Sequence, residues 1–216
     1  DSVYSKGICE LIKAVRPLAN VVVVAPDHVR SGMSCAITHS EAMRLSKLHE
    51  EEGFTVYSSS GTPVDCIKLS FFALFKDKRP DLLLSGINHG SNSSVNSLYS
   101  ATVGAAMEGC VNNVPSIAFS LCDHQEDADF SQVIPYVVQI IKNVLDHPIP
   151  YATFLNVNFP KGEIKGLKVC RQADARWSEE YDQKISEYGD VSYFLAGYFD
   201  NREPESTDTD EWALAH

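Results

Sequence analysis

The chain has 216 residues, with 18 Lys and Arg against 29 Asp and Glu, for a formal charge of −11. A protein that tracks a nucleic-acid backbone needs a basic face to displace counterions, so a nucleic-acid polymer is excluded as a partner. With 44% hydrophobic and 22% charged residues the chain is globular rather than disordered or fibrous. Its longest apolar runs, Val21–Ala25 and Phe71–Phe75, fall far short of the roughly 20 residues a membrane helix needs.

In chain order, Ile8, Leu11, Ile12 and Val15 have the spacing of an amphipathic helix beginning almost at the first residue. Val21–Ala25 is a continuous β-branched and apolar run stopped by Pro26, the pattern of a strand buried on both faces. Phe54–Tyr57 reads as strand. Thr62 and Pro63 then offer an N-cap followed by proline at the first helical position, leading into Ile67, Phe71 and Leu74. Asp81–Ser85 is predicted as strand, Thr102–Val111 as helix, Ser116–Ser120 as strand, Ile134–Leu145 as helix and Phe154–Asn158 as strand. This alternation predicts a three-layer, Rossmann-like α/β domain with a largely parallel sheet over 1–165. Beyond it, Leu167–Val169 and Val191–Phe199 read as strands of a β-hairpin extension or arm over 166–216.

The negative charge is concentrated in residues 200–211, 123–129 and 50–52, which read as solvated loops. The six cysteines form no CxxC pair, and most lie in apolar stretches. They are expected to be reduced core residues of a cytoplasmic protein, and nothing near Asp1 resembles a signal peptide.

No GxGxxG, GxxxxGK[ST] or GxSxG pattern is present. Oxygen-bearing residues instead stand where strands end: Asp1 before the first helix, Ser31 and Gly32 after the Val21–Ala25 strand, and Ser85 to Asn88 after the Asp81–Ser85 strand. Ligands of open parallel sheets bind at that rim, and such oxygens suit a hard divalent cation; each residue alone reads as a turn former, and it is their joint placement at one rim that points to a site. Residues 88–102 are dense in small polar side chains and run into a helix. The backbone N–H groups there, with the Ser100 and Thr102 hydroxyls, would make an anion site without lysine, or Ser100 or Thr102 would simply cap the helix. His89 reads either as a general acid or as an exposed loop histidine.

Five stretches together resemble the SurE family of stationary-phase survival proteins: Val-Val-Ala-Pro-Asp-His-Val-Arg-Ser-Gly (23–32), Gly-Thr-Pro-Val-Asp-Cys (61–66), Pro-Asp-Leu-Leu-Leu-Ser-Gly-Ile-Asn-His-Gly (80–90), Tyr-Ser-Ala-Thr-Val-Gly-Ala-Ala-Met-Glu-Gly (99–109) and Asn-Val-Asn-Phe-Pro (156–160). The resemblance implies a metal-dependent nucleotidase that hydrolyses nucleoside 5′- and 3′-monophosphates, with one divalent cation, Mg²⁺ or Mn²⁺, per subunit. It matches Asp1, Ser31 and Asn88 to the metal ligands and Gly32, Asn92, Ser100 and Thr102 to the phosphate site. Asp1 corresponds to the second of two adjacent aspartates, so the first aspartate and first strand are expected before residue 1, and a further strand after His216. Ser2 and Ala101 stand where the family has glycine, which is expected to restrict φ or narrow the approach to a ligand. The resemblance also implies a homodimer or homotetramer joined through the 170–212 region. Its rivals are a metal- or nucleotide-binding protein without turnover and a broader phosphatase or exopolyphosphatase.

Overall fold

The computed structural model describes residues 2–125 and 127–216; Asp1, predicted as a metal ligand, and Glu126, part of an acidic run, lie outside the described residues. In chain order the first unit contains α1 (Lys6–Val15), β1 (Val21–Pro26), β2 (Leu45–Glu51), β3 (Phe54–Ser59), α2 (Pro63–Ala73), β4 (Leu83–His89), α3 (Ala101–Val111), β5 (Ser116–Leu121), α4 (Ile134–Asp146) and β6 (Leu155–Phe159). The second contains β7 (Ala175–Ser178), β8 (Tyr181–Ile185), β9 (Val191–Leu195), β10 (Tyr198–Asn201) and α5 (Asp210–Ala215). Unit 1 spans residues up to 92 together with 96–166, and unit 2 takes 93–95 and 167–216.

The α/β layering follows the sequence pattern, but the strands of unit 1 fall into two three-stranded sheets, β1-β3-β2 and β4-β5-β6. The second is parallel throughout, with β5 in the middle and all six of its residues buried. Leu11 of α1 and Val137, Ile140, Ile141 and Val144 of α4 cover one face of it, against Ile87, Ile117, Phe119 and Phe159. The small residues Ala105, Ala106 and Gly109 let α3 lie close on the other face. No described helix is long and apolar enough to cross a membrane.

The other sheet is mixed. β1 pairs parallel with β3, whereas β2 is an antiparallel neighbour that the sequence did not announce. Its residues, Leu-Ser-Lys-Leu-His-Glu-Glu, lack clean apolar alternation because six of the seven are exposed. Helix α2 begins as its sequence requires, with Pro63 in the first turn and a reciprocal capping box between Thr62 and Asp65.

Unit 2 departs further from expectation. Leu167–Val169 is not a strand: Val169 is fully exposed, and the only pairing nearby is an isolated bridge between Arg171 and Thr209. Val191–Phe199 is broken by a turn at Gly197 (φ +94°) into β9, which pairs with β8, and β10, which pairs with β7. The acidic run 200–211 keeps its acids at least partly exposed, as expected, but several of them are also engaged by partners. Glu203 and Asp208 both bind the Arg171 guanidinium, and Asp210 accepts from the N–H groups of Ser94 and Ala173. Among the cysteines, all free, only Cys66 is buried, which corrects the reading of them as core residues.

Two outcomes follow from these contacts. A Cβ on Gly7 would stand 1.9 Å from the Ile87 carbonyl oxygen, so α1 can reach β4 only without a side chain there. Gly7→Ala should destabilise the protein by about 1–3 kcal/mol in urea unfolding, the scale of overpacking. Hydrogen bonds from Arg171 and from the Asp174 N–H pull the Glu203 carboxyl down to about 2. A depressed folded value stabilises above the ordinary carboxylate range and is lost as pH falls from about 4.3 toward 2. Both tryptophans, Trp177 and Trp212, lie in unit 2, so their emission should report that acid transition, and Arg171→Ala should move it to higher pH.

Candidate active site

Of the described predicted site residues, Ser31 and Gly32 lie on the loop after β1, Asn88 near the end of β4, Asn92 on the loop after it, and Ser100 and Thr102 at the start of α3. Parallel pairing places Asn88 of β4 opposite Ser120 of β5, and Ser120 opposite Asn158 of β6, so three polar side chains form a row across the sheet near its carboxyl edge. Asn88 directs its amide nitrogen inward. Nδ2 donates to the carbonyl oxygens of His89 (3.1 Å) and Gly90 (3.0 Å) and makes a longer contact with Asn92 Oδ1 (3.4 Å). These bonds settle which end of the amide is nitrogen, and they leave Oδ1 without a hydrogen-bond partner among the described residues. The loop that accepts them needs Gly90, which has φ +103°, donates its N–H to the Leu121 carbonyl at 2.7 Å, and leaves room for the His124 ring where a Cβ would fall.

Asn92 is buried and held on three sides. Its N–H donates to Asn158 Oδ1 (2.8 Å), its carbonyl accepts from Asn156 Nδ2 (2.8 Å), and its side-chain amide donates to Ser120 Oγ (2.5 Å). These partners were absent from the predicted site. A signal for them existed: two asparagines at a spacing of two within a strand are unfavourable in isolation and call for an explanation.

Ser31 and Gly32 form an exposed turn with Gly32 at φ +69°, and the Ser31 hydroxyl has no protein partner among the described residues. The loop that follows is fastened in two places. Ser34 donates through Oγ to the Leu98 carbonyl (2.6 Å) and through its N–H to that of Tyr99 (3.2 Å), which draws it to the approach of α3. Farther on, Thr62 Oγ1 donates to the Ala36 carbonyl (2.7 Å), and Thr38 donates to the Asp65 carboxylate through both N–H and hydroxyl. Burial alone would raise the Asp65 carboxyl, but the hydrogen bonds from Thr38 and Thr62 outweigh it and hold it below its ordinary range.

At α3, Ser100 is the N-cap and its Oγ accepts from the Val103 N–H (3.1 Å). The Thr102 hydroxyl and the N–H groups of Ala101 and Thr102 have no protein acceptor among the described residues, as expected of a helix start. The structure thus joins Asn88 with Asn92, and the loop after Ser31 and Gly32 with the approach to Ser100. No hydrogen bond among the described residues links those two pairs directly. Ala101 does not have a positive φ, so the non-glycine residue there imposes no backbone strain. His89 is half-buried and meets Phe130 edge-on (centroids 5.2 Å apart), which removes the reading of it as merely exposed.

A layered α/β core with polar loops at the carboxyl ends of its parallel strands defines a Rossmann-like protein, the class of fold in which ligands bind at that rim. The family model for survival protein SurE matches residues 1–179. The protein described as 5′-nucleotidase SurE from Bacteroides fragilis is 48% identical over all of this chain and 85% of its own length. Its counterpart from Phocaeicola vulgatus is 46% identical over all of this chain and 84% of its length. The crystal structure of the SurE protein from Aquifex aeolicus superposes with a TM-score of 0.85 at 38% identity, covering all of this chain and 86% of that one. The chain belongs to the SurE family.

Asp65→Ala would strand the Thr38 and Thr62 donors and open the α2 capping box. Leaving a buried donor unsatisfied costs about 1–3 kcal/mol, so urea unfolding should register a loss of at least that size. Limited proteolysis should cut the 33–44 loop faster than in the wild type.

Proposed function

We propose that this chain is a phosphomonoesterase that hydrolyses nucleoside 5′- and 3′-monophosphates to nucleoside and phosphate. The nucleotidase relatives support the reaction class, and the orientation of Asn88, whose oxygen faces away from its own hydrogen-bonded loop, carries the assignment of the site. Asp1, Ser31 and Asn88 would hold one Mg²⁺ or Mn²⁺ per subunit. Carboxylate, hydroxyl and amide oxygens fit a hard cation, and the last two stand without protein partners among the described residues. When bound, the ion supplies a Lewis acid for the phosphoryl oxygen and lowers the pKa of its water.

The chain's own groups bind and orient the phosphoryl group. The Gly32 N–H and the N–H groups at the start of α3 face an anion favourably, helped by the positive end of the helix. Ser100 serves as cap and donor at once, because its oxygen accepts from Val103 while its proton remains for a phosphoryl oxygen. Thr102 adds a second hydroxyl. Asn92 contributes the amide hydrogen that Ser120 does not take. Donors placed in advance stabilise the charge spread over the transferring group.

We assign residues 1–165 to this catalytic core and 166–216 to an oligomerisation arm. The β8–β9 ribbon exposes Tyr181, Ile185, Val191, Tyr193 and Leu195 on one face, a surface suited to a homodimer or homotetramer. Six free thiols fit a cytoplasmic setting.

Full-length protein with Mn²⁺ should release phosphate from adenosine 5′-monophosphate faster than from a short polyphosphate. Asn88→Ala should reduce kcat/KM by about 10²-fold, the scale of losing one oriented group at such a centre. Nucleotide binding without phosphate release would establish the non-catalytic rival, and a polyphosphate preference the broader phosphatase.

A further inference from the structure

Asn92, Asn158 and Asn156 close a ring of three hydrogen bonds. The Asn92 N–H donates to Asn158 Oδ1 (2.8 Å), Asn158 Nδ2 donates to Asn156 Oδ1 (3.2 Å), and Asn156 Nδ2 donates back to the Asn92 carbonyl (2.8 Å). Each asparagine of β6 acts as donor and acceptor at once through the two ends of its amide. Together they hold both peptide groups of Asn92 much as a neighbouring strand would, after the chain has left β4 and has no ladder of its own there. Asn92 is 4% exposed, and Ser120 fastens its side chain from β5. The segment 88–92 is therefore pinned at each strand it crosses: at Asn88 on β4, at Gly90 to the Leu121 carbonyl of β5, and at Asn92 to β6.

We propose that Asn156 and Asn158 are positioning residues for the cation site: by clamping Asn92 they set the loop whose carbonyls hold the Asn88 nitrogen inward, and so aim Asn88 Oδ1 at the metal. This rests on the cation reading given above. Groups that orient a metal ligand without touching the ion typically influence affinity by about 10–100-fold.

Electron paramagnetic resonance titration of Mn²⁺ into the full-length protein tests this, with amide hydrogen exchange at Asn92 and thermal unfolding in parallel. Asn156→Ala and Asn158→Ala should each raise the Mn²⁺ Kd about tenfold or more and speed exchange at Asn92. Asn156→Asp should be the most severe, since it sets a carboxylate against the Asn92 carbonyl. Asn158→Asp should be milder, because it keeps an acceptor for the Asn92 N–H. If the folded alanine variants bind Mn²⁺ within twofold of wild type while Asn88→Ala does not bind, the positioning role is wrong and the cation reading stands. If Asn88→Ala itself binds as wild type, the cation reading falls and the positioning role with it. Should the alanine variants fail to fold, Asn156→Ser and Asn158→Ser, whose shorter side chains cannot span the same bonds, carry the same criteria.

Discussion

The side-chain amide of Asn88 can present an oxygen to a ligand only because its nitrogen is taken by carbonyls of its own loop. An asparagine at the end of a parallel strand is otherwise free to turn either end outward. Here the His89 and Gly90 carbonyls hold the nitrogen, and they stand where they do because Gly90 adopts a conformation that side-chain-bearing residues rarely reach. The loop is in turn tied to β5 and β6. The polarity of the rim is therefore a property of the sheet register, which sets Asn88, Ser120 and Asn158 side by side.

The second half of the site depends on a buried carboxylate. Asp65 closes the capping box of α2 and receives Thr38 from the loop that carries Ser31 and Gly32. Its cost of burial is met by donors rather than by a counter-charge, which suits a position at a helix N-terminus. One residue thereby couples the start of a helix to a loop that would otherwise be held by Ser34 and Thr62.

The parts of unit 1 buried on both faces were legible in the sequence. The Ser116–Ser120 run and the stripe from Ile134 to Leu145 carry their burial in their composition, the buried Ser116 and Ser120 hydroxyls being hydrogen-bonded; Val21–Ala25 is a strand as read, but not one buried on both faces, since Val22 is 40% exposed at the sheet edge. Thr62, Pro63 and Asp65 likewise announce a helix start by local chemistry. The exposed elements were not legible. β2 has no apolar alternation to read, and the break at Gly197 depends on which of two partners each half of Val191–Phe199 finds.

For the site, the sequence determined which oxygen- and hydroxyl-bearing residues stand at strand ends, and its motifs determined the family. Tertiary structure decided what each one does. Ser100 is both cap and available donor, His89 packs on Phe130, and Asn92 lies buried in a ring with Asn156 and Asn158, which stand 64 and 66 positions away along the chain. The physical reason is that a hydrogen bond consumes one end of an amide or hydroxyl and leaves the other. Which end remains for a ligand is set by partners that only the folded register brings within reach.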